Sequence, residues 1–308
     1  MCKLWLPKPF RAVAYAIAAL LLLSVLPLQA EESCPSSSVL QGAWTAQGGE
    51  IQASFEPERV VLREKGLLRA ASILQRQPCK LVVRDQGLRV TWTLKGDAHS
   101  LRLDRGKDAI AFDRLPQVPP TLDISPLPLP PPGPVPPDKV KEIAAELRAR
   151  DDRDQATRSN KDQRAAVIAD NIHYLREVVE RYGWIDIPRF GKAAAAAAVF
   201  AAKHANDVRL EQVALPIAEK DARENGGGKE IVSVLVDDLL ITLGHKQKYG
   251  TQLDVDEHGK PYALPVEDPA KVDQYRKELG ILSWSDYLKK ASQALFKGEP
   301  IRIPSPEE

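Results

Sequence analysis

A run of prolines divides this chain and limits what its two sides can form together. Eleven of the twenty-two residues from Pro116 to Pro137 are proline. Proline has no backbone N–H to donate, so such a run favours polyproline II over sheet or helix. At about 3.1 Å per residue it could span up to about 70 Å. We therefore expect a semi-rigid linker at 117–137 between two separately folded domains.

Residues 34–116 contain short runs in which apolar and polar residues alternate. Turn-forming residues separate them at spacings of about eight to twelve residues, which is typical of an antiparallel meander. The clearest runs are Ile51–Phe55, Arg59–Arg63, Lys80–Arg84, Leu88–Leu94 and Ser100–Asp104. We predict a small antiparallel β-domain of about eight strands, either a sandwich or a partial barrel.

The triplet Gly42-Ala43-Trp44 lies near the start of this meander. It resembles the Gly-X-Trp of lipocalin-like barrels, in which the indole plugs one end. A core tryptophan beside a turn would explain the same three residues. The domain has a single histidine, His99, and no clustered carboxylates, so we do not expect catalysis there.

The first thirty residues have the composition of a secretory signal peptide. Three basic residues precede the apolar run Ala12–Leu28, and Ala30 offers a small residue for cleavage. An uncleaved anchor is the alternative, but the run has only seventeen residues and contains Pro27, which is short for a membrane span. We expect residues 1–30 to be removed, leaving an exported protein, periplasmic or extracellular, without a membrane span.

Export determines how the cysteines are interpreted. The mature chain keeps Cys34 and Cys79, and an even pair in an oxidising compartment usually forms a bridge. Two free buried thiols are the alternative. A disulfide across this separation would stabilise the first domain by about 4 kcal/mol in the chain-entropy model.

Charge and motifs exclude several functional classes. Lys and Arg number 43 and Asp and Glu 42, a net charge of +1, which gives no bulk electrostatic reason to bind nucleic acid. The chain has no Ser or Cys nucleophile elbow, no His-Glu-x-x-His helix and no multiple-histidine spacing. We predict no metal and no cofactor.

After the linker the apolar spacing changes to three and four residues, which predicts helices over most of 138–297. Two of these helical patterns end at Gly183 and Gly244. Pro216 lies within another and should kink or restart that helix. Two short strands around Glu257–Lys260 indicate a hairpin. The overall class is α+β multidomain, a β-domain followed by a mainly α-helical domain, with a flexible tail at 298–308.

Several polar residues occur in the helical domain where a plain bundle would not need them. Asp154 and Arg158 are four residues apart and are therefore neighbours on one helix face. An exposed ion pair with no functional role would have the same spacing. His204 and Asp207 are three residues apart, so both side chains can reach the same position. Further members of this polar set are Gln155, Gln212, Asp237 and Asp238.

The stretch Gly244–Gln252 packs glycine, aromatic and polar residues together without apolar periodicity. One interpretation is structural: Gly250 permits a positive φ, while Thr and Gln side chains satisfy backbone groups at a turn. The other is a pocket in which Gln247 and Gln252 converge with Arg158, His204 and Asp238. His204 would then be a general base, oriented by Asp207 or Asp238.

From about Asp154 to Leu279 the chain resembles the bacterial family called domain of unknown function 6624. The resemblance is carried by Asp154-Gln155 followed by Arg158, by Gly183-Trp184, His204 and Asp238, and above all by the spacing Gly244-x-x-Gln247-x-Tyr249-Gly250-Thr251-Gln252. Two departures bear on the site. Leu239 stands where the family usually has Arg, and Lys203 where it usually has Gln.

The family brings no activity, so two functional hypotheses follow. The first is a binding or scaffold module in the cell envelope, whose partner is an envelope component or a small polar ligand. The second is a hydrolase with His204, Asp238 and Arg158 as catalytic residues. The predicted binding residues are Asp154, Gln155, Asp207, Gln212, Gln247, Tyr249, Thr251 and Gln252.

Overall fold

The computed structural model describes residues 33–46, 48–64, 67–85, 88–106, 108–157, 160–256 and 258–304. The predicted signal peptide lies outside these ranges. From Cys34 onward the chain forms one compact unit. In the part of the chain that is described, no helix combines the length and the apolarity needed to cross a membrane.

The first domain is a closed barrel of eight antiparallel strands in sequence order, with β1 paired to β8. The strands are β1 Gly42–Ala46, β2 Ile51–Phe55, β3 Arg59–Glu64, β4 Leu67–Gln77, β5 Lys80–Asp85, β6 Leu88–Gly96, β7 Ser100–Asp104 and β8 Ala109–Arg114. The expected number of strands is confirmed, and the barrel is closed rather than partial. Closure pairs both edge strands, which removes the unpaired backbone groups that an open sheet exposes.

Large apolar side chains fill the barrel. Alternate residues point inward along each strand, as in β7, where the two leucines are buried and their neighbours are exposed. The largest fully buried side chains of the interior include Trp44, Trp92, Phe55, Phe112, Leu62 and Leu103. The interior is therefore a packed core.

One end of the barrel is closed around Trp44. The short helix α1, Ser37–Leu40, lies just before β1, and the indole N–H of Trp44 donates to the Leu40 carbonyl at 2.9 Å. The guanidinium of Arg114, at the end of β8, stacks 5.0 Å from the Trp44 ring centre and donates to the Val39 carbonyl at 2.6 Å. The predicted Cys34–Cys79 disulfide is present and ties this end to the β4–β5 turn.

The second domain is helical, with a hairpin between its last helices. Its elements are α2 Pro137–Ala156, α3 Lys161–Tyr182, α4 Ile187–Phe190, α5 Lys192–His204, α6 Val208–Glu224, α7 Lys229–Thr242, β9 Leu253–Val255, β10 Pro261–Ala263, α8 Val272–Leu279 and α9 Trp284–Leu295. The alanine-rich α5 lies at the centre, because small side chains allow close approach of α2, α3, α6 and α7. Helix α6 does not restart at Pro216 and is continuous.

The proline-rich segment packs along both domains instead of holding them apart. Leu122 is buried against barrel residues. The next apolar side chains of the segment pack on the helical core, namely Ile124, Leu127, Leu129 and Val135. Arg209 of α6 donates to the Ser125 carbonyl at 2.9 Å. We call residues 117–136 the strap, because this stiff segment packs against both domains and does not act as a spacer between them.

The barrel also contacts the helical domain directly. Arg84 of β5 donates to the Gln252 side-chain oxygen at 3.1 Å, and Arg59 of β3 donates to the Leu243 carbonyl at 3.1 Å. A Cβ at Gly244 would lie 2.5 Å from a side-chain atom of the turn before β3, so this approach requires glycine. The stretch Gly244–Gln252 is thus at the junction of the two domains.

Candidate functional site

The centre of the junction is Asp237 of α7, which has no exposed surface. Its carboxylate accepts the backbone N–H groups of Lys248, Tyr249 and Thr251, each at 2.8 Å, and the Thr251 hydroxyl at 2.8 Å. Burial raises the pKa of Asp237, while these hydrogen bonds favour the ionised form. We call Gln247–Gln252 the junction loop.

Two glutamine side chains hold the junction loop to the hairpin and the barrel. The Gln247 amide donates to the Gln252 carbonyl at 3.1 Å and accepts from the Gln252 N–H at 2.8 Å. It also donates to the Leu264 carbonyl at 2.5 Å. The Gln252 amide donates to the Val234 carbonyl at 3.2 Å while its oxygen accepts from Arg84. Both amides are therefore used within the protein.

The outer side of the junction loop is covered by α8 and α9. The Tyr249, Gly250 and Thr251 carbonyls accept from the Arg276 guanidinium at 2.7 Å, the Trp284 indole at 3.0 Å and the Tyr287 hydroxyl at 2.7 Å. Gly250 has φ +72°, and a Cβ there would lie 2.3 Å from the Trp284 indole nitrogen. The geometry matches the structural interpretation of this stretch.

The His204 side chain has a different partner from those expected. At the end of α5, its Nδ1 contacts the carboxylate of Asp154 on α2. Asp154 is 3% exposed, and the Nε of Arg164 lies 3.7 Å from its second oxygen. The ring of Phe200, one turn earlier, stacks on His204 with centroids 5.9 Å apart. Asp154 fixes the imidazole, a role that the sequence assigned to Asp207 or Asp238.

A cleft of about 250 Å³ lies beside this pair, between α2, α3 and α5. Its lining combines apolar and charged side chains, namely Leu147, Arg150, Asp151, Asp154, Asn171, Ala197 and Ala201. Gln155, predicted as a binding residue, donates to Asp151 at 3.2 Å at the edge of this region. The predicted partner Arg158 lies outside the described residues.

A second buried polar cluster surrounds Glu211 of α6. Neither carboxyl oxygen of Glu211 meets a donor among the described residues, although the side chain is 0% exposed. Burial, and then the neighbouring Asp238 carboxylate, raise the pKa of Glu211 well above 4.5. A neutral Glu211 can donate its proton to Asp238, and the Lys203 ammonium lies 3.2 Å from Asp238. We call Lys203, Glu211 and Asp238 the proton cluster.

Two residues that the sequence singled out as departures from the family pattern lie at or next to the proton cluster. Leu239, the neighbour of Asp238, is buried in the helical core. Lys203 forms the ion pair with Asp238. The positive charge beside Asp238 therefore comes from Lys203.

The other predicted residues have structural partners. Asp207 caps α6 by accepting the Leu210 N–H at 3.3 Å, and it pairs with Arg176 at 2.6 Å. Gln212 donates to the Ile124 carbonyl of the strap at 2.7 Å. Among the residues with described positions, no three His, Cys, Asp or Glu side chains are placed to hold a metal ion.

Sequence reasoning missed the roles of Glu211 and Asp237. A signal was present for Glu211: it lies three residues from both Val208 and Ala214, on the apolar face of α6, where a carboxyl group is expensive to bury. In the sequence, Asp237-Asp238 interrupts an apolar stretch, so at least one of the two had to point inward or towards a neighbour, and both are buried. Which of them binds the junction loop could be known only from the three-dimensional position of that loop.

No curated protein and no solved structure matches the chain significantly. Residues 145–297 match the model of the family of unknown function DUF6624. The resemblance identified in the sequence is thereby confirmed: the C-terminal half of this chain is similar to DUF6624 domains.

Proposed function

We propose that this protein is an exported binding or scaffold module of the cell envelope, and that its ligand site is the cleft beside Asp154 and His204. The observation that carries the proposal is the contact between the Asp154 carboxylate and the His204 imidazole beside a cleft that Asp154 also lines. Small-ligand sites commonly combine an apolar wall with a few fixed polar groups. The carboxylates of Asp151 and Asp154 favour a small polar ligand with hydroxyl or amino groups.

Two further observations support this proposal. The residues Gln247, Tyr249, Thr251 and Gln252 form hydrogen bonds within the protein, so the cleft beside Asp154 and His204 is the better candidate for the ligand site. The Cys34–Cys79 disulfide is of a kind that persists in oxidising compartments, which fits the signal-like composition of residues 1–30.

The test is a thermal-shift screen of the mature protein against polar metabolites and envelope fragments, with His204→Ala and Asp154→Asn beside the wild type. A ligand of this cleft should raise the midpoint of unfolding of the wild type and shift both variants less. Asp152→Asn, an exposed change on the same helix, should behave like the wild type. A ligand that shifts all four proteins equally binds elsewhere and contradicts the proposal.

A hydrolase is the second candidate, and the orientation of His204 favours it. Asp154 engages Nδ1, which leaves Nε2 as the nitrogen that could take a proton from water. In this version Asp154 replaces Asp238 as the group that orients the base, since Asp238 pairs with Lys203. A broad hydrolase screen distinguishes the two candidates: turnover that is lost in His204→Ala supports the enzyme, and turnover retained in that variant excludes His204 as its base.

A further inference from the structure

A second cleft, separate from Asp154 and His204, opens beside the loop Gly226-Gly227-Gly228 between α6 and α7. It is open to solvent on one side, and its space together with that of its open mouth is about 390 Å³. Its wall is formed mainly by apolar side chains, including Trp184, Ile185, Ile187, Ala195, Val199 and Ile231. A mainly apolar wall with a few polar groups is usual for small-molecule sites.

The glycine loop sets the shape of the cleft mouth. Gly226 has φ +63°, and a Cβ there would lie 3.1 Å from the Nζ of Lys192. A Cβ at Gly227 would lie 3.0 Å from the Asp221 backbone. The loop therefore passes close to the end of α6 and brings the Lys192 ammonium to the mouth. The sequence excludes a phosphate loop here, because no Lys-Ser/Thr pair follows the glycines.

Two charged side chains line this cleft, and they differ in how they are used. The Asp221 carboxylate accepts the Ile187 N–H at 3.0 Å and the Asn225 amide at 2.7 Å. Lys192 is exposed and forms no ion pair with any residue whose position is described. The cleft thus combines an apolar wall with one uncommitted positive charge at its mouth.

We propose that this cleft binds a small amphipathic carboxylate, such as a medium-chain fatty acid. The apolar chain would lie against Trp184 and Ile231, where it is removed from water. The carboxylate would remain at the mouth on the Lys192 ammonium. A cationic amphiphile of the same length would meet the Lys192 ammonium as a like charge, and the Asp221 carboxylate already accepts two hydrogen bonds within the protein. Charge complementarity therefore favours the anion. The site is independent of the function proposed for Asp154 and His204.

The experiment is isothermal titration of the mature protein with octanoate and with octylamine, which share a chain and differ in charge. Octanoate should give saturable binding, and octylamine should bind more weakly. Lys192→Glu should weaken octanoate binding by about fivefold, the upper end of what an exposed ion pair contributes, and should remove the preference over octylamine. Ala196→Phe, at a half-buried position lining the cleft, should abolish binding.

The matched control is Lys290→Glu, the same charge change at an exposed position of α9, which should bind octanoate like the wild type. Lys192 is exposed, so Lys192→Glu tests the proposal even where Ala196→Phe does not fold. Absence of octanoate binding to the wild type would overturn the proposal. An equal loss in Lys192→Glu and Lys290→Glu, or no loss in Lys192→Glu, would do the same.

Discussion

Asp237 and Glu211 lie on adjacent helices, and neither side chain is exposed. Asp237 accepts four hydrogen bonds from the junction loop. Glu211 accepts none from the described residues and faces the Asp238 carboxylate. A buried charge is tolerated when its acceptors are filled, and is otherwise neutralised by a proton. The junction loop is thus a fixed polar network, whereas the proton cluster depends on pH.

The largest effect is expected from removing the acceptor of the fixed network. Asp237→Ala leaves three backbone N–H groups and a hydroxyl without their partner, so the free energy of unfolding should fall by about 3–5 kcal/mol. Urea unfolding followed by circular dichroism measures it. Asp152→Ala, an exposed change, is the control, and a loss no larger than the control's would show that the loop does not depend on Asp237.

A smaller loss is expected from the proton cluster. Lys203→Met removes the cation from Asp238 and leaves two carboxyl groups facing each other. Because the Lys203 side chain is 18% exposed and partly solvated, we expect about 1–2 kcal/mol. Lys141→Met, an exposed position on α2, serves as the control. A double variant with Asp238→Asn should recover part of the loss, and strict additivity of the two changes would contradict the pairing.

The pH dependence separates the two regions most sharply. The pKa of Glu211 is raised in the folded state by burial and Asp238, so the folded state keeps a proton that the unfolded state releases. Its contribution to stability is complete below 4.5, the ordinary value, and is lost as pH rises through the folded pKa. The slope for one proton is at most about 1.4 kcal/mol per pH unit.

Glu211→Gln should therefore flatten this decline and make the protein more stable than the wild type at alkaline pH. Unfolding curves at a series of pH values above 5 measure the difference. Glu180→Gln, an exposed position on α3, should keep the wild-type profile. Parallel profiles for wild type and Glu211→Gln would mean that Glu211 holds no extra proton.

Local features of the sequence were enough to predict the helices, the hairpin and most of the barrel strands. Apolar spacing and glycines that end helices are short-range signals, and α3 and α7 end within two residues of Gly183 and Gly244, as predicted. Closure of the barrel was not predictable, because it pairs β1 with β8, about seventy residues apart in sequence. Strand β4 was missed because its pattern, Leu67–Gln77, is not strictly alternating.

The strap shows why composition alone misleads about tertiary structure. Proline density reports the stiffness of the backbone, but the side chains between the prolines decide whether the segment docks. Leu122 and Leu127 lie between prolines of the segment and pack against different domains. For the candidate site, the sequence singled out both Asp154 and His204 but did not predict that they contact each other. Asp154 and His204 are fifty residues apart, and only the packing of α2 on α5 brings them together.

The contact between Arg84 and Gln252 affects whether the helical half can fold when it is produced without the barrel. Gln252 belongs to the part that matches DUF6624, and its side-chain oxygen accepts from a barrel arginine. During synthesis the barrel emerges first and can close by its own strand pairing, but the helical half reaches its full set of contacts only when the barrel is already present. A gene fragment that encodes the helical half alone would leave that oxygen, and the surface beneath the strap, facing water.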